Sequence, residues 1–108
     1  MSEKDRIVVG FDGSDAAEQA LLTAVALCSR EAELIVVVAF ADMAVPQTRV
    51  ETKSMVEKEA RAEVEHAQQV LAKCHVTPHF RVVPGDPADA LIEEVRKEPT
   101  RLLVVGRY

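Results

Sequence analysis

Leu34-Ile35-Val36-Val37-Val38-Ala39-Phe40 is the stretch on which the fold turns. It is apolar throughout, rich in β-branched residues and without alternation. Too short for a buried helix, it reads as a strand, and a strand with no polar side must be covered on both faces. Arg6-Ile7-Val8-Val9-Gly10 upstream and Arg101-Leu102-Leu103-Val104-Val105-Gly106 downstream share that pattern. Thr77-Pro78-His79-Phe80-Arg81-Val82-Val83 instead alternates, and Pro78 sits at its start, where a missing N–H is tolerated. It predicts an edge strand, broken by Pro84-Gly85.

Helical patterns fill the intervals. Ser14 or Asp15 caps the first helix with Glu18 behind it, close to a capping box. That helix runs to about Arg30, with Ala17, Leu21, Ala24, Val25 and Cys28 on one face. Residues 41–50, with Pro46, read as a loop. A long helix follows, from about Glu51 or Ser54 to about Cys74, with Val56, Ala60, Val64, Ala67, Leu71 and Cys74 as its apolar stripe. Asp86 is a good N-cap, and Pro87 suits the first position of a short helix that ends before Pro99. Leu91, Ile92 and Val95 are its expected inward residues. The order βαβαβαβ implies a parallel sheet between helical layers.

Composition excludes several function classes. A length of 108 residues fits one domain, and 48% hydrophobic with 29% charged residues is ordinary for a globular chain. Aromatics are 4% with no Trp, which argues against a base-stacking platform. The net charge of −5 gives no electrostatic footprint for nucleic acid or an anionic membrane. No apolar run approaches the roughly 18 residues that span a bilayer. The opening Met1-Ser2-Glu3-Lys4-Asp5-Arg6 is charged, unlike a signal peptide. Cys28 and Cys74 make no disulfide framework and read as small core residues. The expected setting is cytoplasmic, with neither nucleic acid nor membrane as partner.

Ligands of open parallel sheets bind beyond the carboxyl ends of the strands, where strand order reverses. All four glycines lie at such ends: Gly10 and Gly13 after the first strand, Gly85 after the third, Gly106 at the fourth. Each serves either a tight turn or a close backbone approach. Asp12 has two readings: it bonds a nucleotide ribose or base or faces a metal, or it closes an Asx-turn within its own loop. Ser14 reads as a cap rather than a nucleophile, since no base is placed nearby. Neither G-x-x-x-x-G-K-[ST] nor G-x-G-x-x-G occurs. Gly10 stands where aspartate-dependent phosphatases carry their nucleophile two residues before a second Asp, so that covalent chemistry is not open to this loop. His66, His75 and His79 share no metal-ligand spacing. His66 is expected on the exposed face of the long helix, and His75 in its last turn, near the helix dipole.

Four segments, in order, carry a likeness to a known family. They are Ile7-Val8-Val9-Gly10-Phe11-Asp12-Gly13-Ser14 with Ala20-Leu21, Leu34 to Phe40, Val83-Pro84-Gly85-Asp86-Pro87 with Ala90-Leu91-Ile92, and Arg101 to Arg107. Together they resemble universal stress proteins over the whole chain. The resemblance implies a flavodoxin-like, three-layer α/β sandwich of strand order 3-2-1-4(-5). It implies an adenine-nucleotide-binding sensor or adaptor in stress response, with ATP (and Mg) as ligand and a homodimer as assembly. At most slow ATP hydrolysis goes with it, since no base, arginine finger or metal cage is evident. By the same resemblance Asp12 lies near the adenosine with Gly10 beside it. Ala39 touches the base, and Val105 and Gly106 open the phosphate-binding signature.

That signature, G-x-x-G with a later G-[ST], starts at Gly106, whereas the sequence stops at Tyr108. The expectation is one universal-stress-type domain over residues 1–108 with its C-terminal part missing. The apolar fourth strand would otherwise need a second chain on its bare edge. The alternative function is a non-nucleotide, dimeric interaction module of the same family. A phosphotransfer receiver is the weakest reading: Asp86 lies near the acceptor position but reads as an N-cap, and no downstream Lys is present.

Overall fold

In the computed structural model the described residues are 5–28, 31–40 and 50–106, with side chains from Lys58 onward in the helix that begins at Val50. Residues 41–49 of the expected loop, Arg30, Arg107 and the side chain of Val56 lie outside that description, whereas Val50, expected in the loop, opens a helix. The elements are β1 (Arg6–Gly10), α1 (Asp15–Leu27), β2 (Glu33–Phe40), α2 (Val50–Leu71), β3 (Pro78–Pro84), α3 (Pro87–Lys97) and β4 (Leu102–Val104). They form one four-stranded sheet of order β3-β2-β1-β4. Every pairing is parallel, with Val8 opposite both Ile35 and Leu103.

The unalternating runs of β1 and β2 are covered twice. Ile7, Val9, Leu34, Val36 and Val38 pack with Leu21, Ala24, Ala67 and Leu71 of α1 and α2. Val8, Ile35 and Val37 face the other way, toward Leu91 and Val95 of α3. Each such side chain taken fully from water contributes about 1.5–3 kcal/mol. β3 holds the edge that its alternating pattern predicts.

Four expectations shift. α1 stops at Leu27 rather than Arg30, because Cys28 takes extended backbone and its N–H closes on the Val25 carbonyl at 3.1 Å. α2 stops at Leu71 rather than Cys74, where Ala72 and Cys74 N–H groups turn back to Gln69 and Leu71. His75 therefore lies past the helix and is exposed. β4 covers 102–104 rather than 101–106, next to β1 as the order 3-2-1-4 requires. Leu103 and Val105 are exposed. On α3, Ile92 is exposed and Glu94 is buried in its stead. Both thiols are free and pack in the α1–α2 core, Cys28 buried and Cys74 half-buried. Burial, aided by the charge of Asp5, pushes the Cys28 thiol up.

The burial of Glu94 has a partner across the fold. Arg6, the first residue of β1, is 5% exposed and pairs with the Glu94 carboxylate, itself 3% exposed. The same guanidinium donates to the Glu94 carbonyl at 3.0 Å and to Thr100 Oγ1 at 2.8 Å. Lys97 Nζ reaches Glu94 at 3.3 Å, and Arg81 Nε approaches at 3.8 Å. Two desolvated charges gain little against a well-packed apolar pair, but removing one strands the other. Glu94→Ala is therefore expected to cost about 3 kcal/mol, near the low end for a broken buried pair because Thr100 and Glu98 still receive Arg6. The double variant Arg6→Met/Glu94→Leu should recover most of that loss. Urea unfolding of wild type, single and double variants checks it; a double variant no more stable than the single would refute the pairing energetics.

Candidate functional site

The chain leaves β1 through a loop built by its own side chains. Phe11 N–H bonds the Val37 carbonyl at 2.9 Å, extending the ladder by one residue. Asp12 Oδ1 then accepts from Ser14 N–H at 3.0 Å and from Ser14 Oγ at 2.5 Å. Between them Gly13 has φ +82°, a backbone that side chains resist. Ser14 caps α1: its Oγ accepts from Ala17 N–H at 3.1 Å. The Asx-turn reading of Asp12 is thus correct for Oδ1, and Ser14 is the cap the sequence indicates.

α3 begins by the same device. Gly85 N–H bonds the Phe40 carbonyl at 2.8 Å, and Asp86 Oδ2 accepts from Ala88 and Asp89 N–H at 3.0 and 3.2 Å. At the end of β4 the backbone presses on α1. A Cβ on Gly106 would lie 2.9 Å from the Ala16 carbonyl carbon, so nothing larger than glycine fits without a shift.

These pieces enclose a cavity of about 220 Å³ at the carboxyl ends of β1 and β4, between the first turns of α1 and α3. Gly10, Asp12, Ala39, Val105 and Gly106 all line it, whereas Gly13 and Gly85, the other two glycines at strand ends, are not among its lining residues. Sequence reasoning missed Ala16, Pro87, Ala88 and Leu91 as lining residues. The Asp86-Pro87 helix start was readable, but not that its first turn reaches across to Gly10. Among the described lining residues Asp12 is charged and none is Lys or Arg. Among the described residues no three His, Cys, Asp or Glu side chains are grouped to hold a metal ion. No described helix is long and apolar enough to cross a membrane.

Behind the loop stands α2. His66, expected to be exposed, is partly buried, its ring edge-on to Phe11 at 5.2 Å between centroids. Its Nε2 lies 3.2 Å from Glu18 Oε2, so Glu18 is turned to α2 rather than back to the cap. Glu63 lies one turn earlier, and its carboxyl is raised by burial first, then by Asp12 and Glu59, with His66 opposing.

The sequence model of the universal stress protein family matches residues 4–107. Among solved structures, a protein of Mycobacterium tuberculosis H37Rv is 28% identical with a TM-score of 0.64, over 100% of this chain and 75% of that one. A universal stress protein in complex with cAMP is 28% identical with a TM-score of 0.71, over 96% of this chain and 77% of that one. A member of the family from Burkholderia pseudomallei is 26% identical with a TM-score of 0.73, over 99% and 84%. Among curated proteins none matches.

The raised carboxyl of Glu63 fixes the sign of a pH effect. The folded chain holds this proton more tightly than the unfolded chain. The resulting stability is fully present below the unfolded value and is lost as pH rises through the folded one. At neutral pH the ionised carboxylate is a net cost. Glu63→Gln should raise Tm at pH 7, with the advantage shrinking as pH falls into the carboxylate range. Thermal unfolding of both chains from pH 4 to 8 measures this; a difference that grows toward acid would contradict it.

Proposed function

The chain belongs to the universal stress protein family, and we propose that within it this chain is an adenine-nucleotide-binding module, a sensor or adaptor rather than an efficient catalyst. One observation carries the reading: Gly10, Asp12, Ala39, Val105 and Gly106 share a single cavity at the point where strand order reverses. The 28%-identical neighbour in complex with cAMP supports an adenine ligand.

The cavity's size and chemistry narrow the ligand. At about 220 Å³ it is below the roughly 300–1,000 Å³ of sites that enclose a drug-sized ligand, so it suits the nucleoside half of a nucleotide. Ala39, Val37 and Val105 offer the base an apolar surface. The Asp12 carboxylate would accept from ribose hydroxyls. Phosphate would meet the first turns of α1 and α3, whose N–H groups favour an anion. Yet both turns are already capped, by Ser14 and Asp86, and no described lining residue is Lys or Arg. A nucleotide of low charge, such as a cyclic monophosphate, therefore suits the site better than ATP with Mg. Catalysis by ATP hydrolysis has no base in the described lining.

A dimeric interaction module is the second reading. Exposed Leu103 and Val105 on β4 and just after it favour it, since a second copy would cover them.

Titration calorimetry with cAMP, AMP and Mg-ATP separates these. Binding of cAMP tighter than that of ATP is expected. Ala39→Leu, which fills the floor of the cavity, should weaken cAMP by about tenfold (~1.4 kcal/mol) while leaving Tm unchanged within a few degrees. No heat with any of the three at millimolar concentration would sink the nucleotide reading. A sedimentation dimer in that case would leave the interaction module.

A further inference from the structure

We propose that His66 of α2 is a positioning residue for the cavity, holding the Phe11–Ser14 loop from behind although no described lining residue belongs to α2. The inference rests on the nucleotide reading only in what it says of ligand affinity.

Phe11 is the hinge of the geometry. It is buried at 3% exposure, lines the cavity, and meets the edge of the His66 ring. Such T-shaped pairs add attraction beyond the area they bury. The other side of the same imidazole reaches α1: Nε2 lies 3.2 Å from Glu18 Oε2. Glu18 is one turn along from Ser14, in the helix whose Ala16 and Ala17 also line the cavity. One side chain thus ties the loop to the helix that follows it.

At Gly13, the residue with positive φ, α2 faces the loop with room for a methyl group between them: an added Cβ would lie 3.5 Å from Glu63 Cγ and 4.0 Å from His66 Nδ1. Glu63 and His66 are three apart and share a helix face. The charged groups facing the imidazole are Glu18 from α1 and Glu63 from its own helix, with Asp12 of the loop and Glu59 beside Glu63. The Phe11 N–H on the Val37 carbonyl ties the loop to the sheet, and the Phe11–His66 contact ties it to α2.

The test uses three variants of the full chain. His66→Ala removes both contacts, His66→Phe keeps a ring against Phe11, and His66→Gln keeps a donor for Glu18. Amide exchange by NMR is read at Ser14 and Ala17, with Val8 and Val36 as controls in the sheet, alongside calorimetric titration with cAMP. In His66→Ala, exchange at Ser14 and Ala17 should accelerate about tenfold with the controls unmoved, and cAMP should bind about tenfold more weakly. Each conservative variant should restore part of both effects. Unchanged exchange at Ser14 and Ala17 would overturn the proposal, and so would acceleration equal to that of the sheet controls. Should His66→Ala fail to fold, the two conservative variants carry the same readings against wild type. If wild type binds no nucleotide, the ligand reading fails on its own, and the exchange data still decide the positioning.

Discussion

The pairing of Arg6 with Glu94 sets where α3 lies, and the cavity depends on that placement. Arg6 is the first residue of β1 and Gly10 its last, a run of about 13 Å at strand spacing. From Glu94 back to Pro87 the helix rises about 10 Å. Anchoring Glu94 over the amino end of β1 therefore brings the first turn of α3 over its carboxyl end. There Leu91 meets Gly10, with Leu91 Cδ1 3.1 Å from where a Cβ would stand. A charge pair at one end of the sheet thus helps to shape a cavity at the other.

Much of this was legible in the chain. Strands without a polar side could only be covered twice, which gave the layers and the parallel sheet. The alternation in Pro78–Pro84 placed β3 at an edge, and Asp86-Pro87 marked the start of α3. Helix ends were less legible, because Cys28 and Cys74 continue an apolar stripe after the hydrogen-bond ladder has stopped. Ile92, expected inward, is exposed for a related reason. Periodicity ranks a carboxylate outward and Ile92 inward, and only a counter-charge 88 residues away reverses the order. His66 was placed outside because its partners, Phe11 and Glu18, come from another element.

Asp12 has a structural role, and in the proposed function it takes a binding role as well. Its Oδ1 shapes the turn that leads into α1, and the same residue lines the cavity. The likeness to universal stress proteins and the local geometry converge on this loop from independent directions. Much of the site is backbone and small side chains: Gly10, Ala16, Ala17, Ala39, Ala88 and Gly106 leave the space that larger residues would fill. Recognition at such a surface relies on shape and main-chain donors rather than on charged side chains.

The Cys28 thiol, shut beneath the end of α1 with its ionisation suppressed, has a consequence for the chain's chemistry. Thiolate is the reactive form, and here it is scarce as well as hidden. An alkylating reagent or a peroxide meets this sulfur more slowly than it meets a thiol in water. Cys74, half-buried past the end of α2, lies nearer the surface, so the two sulfurs differ in reactivity by their place in the fold.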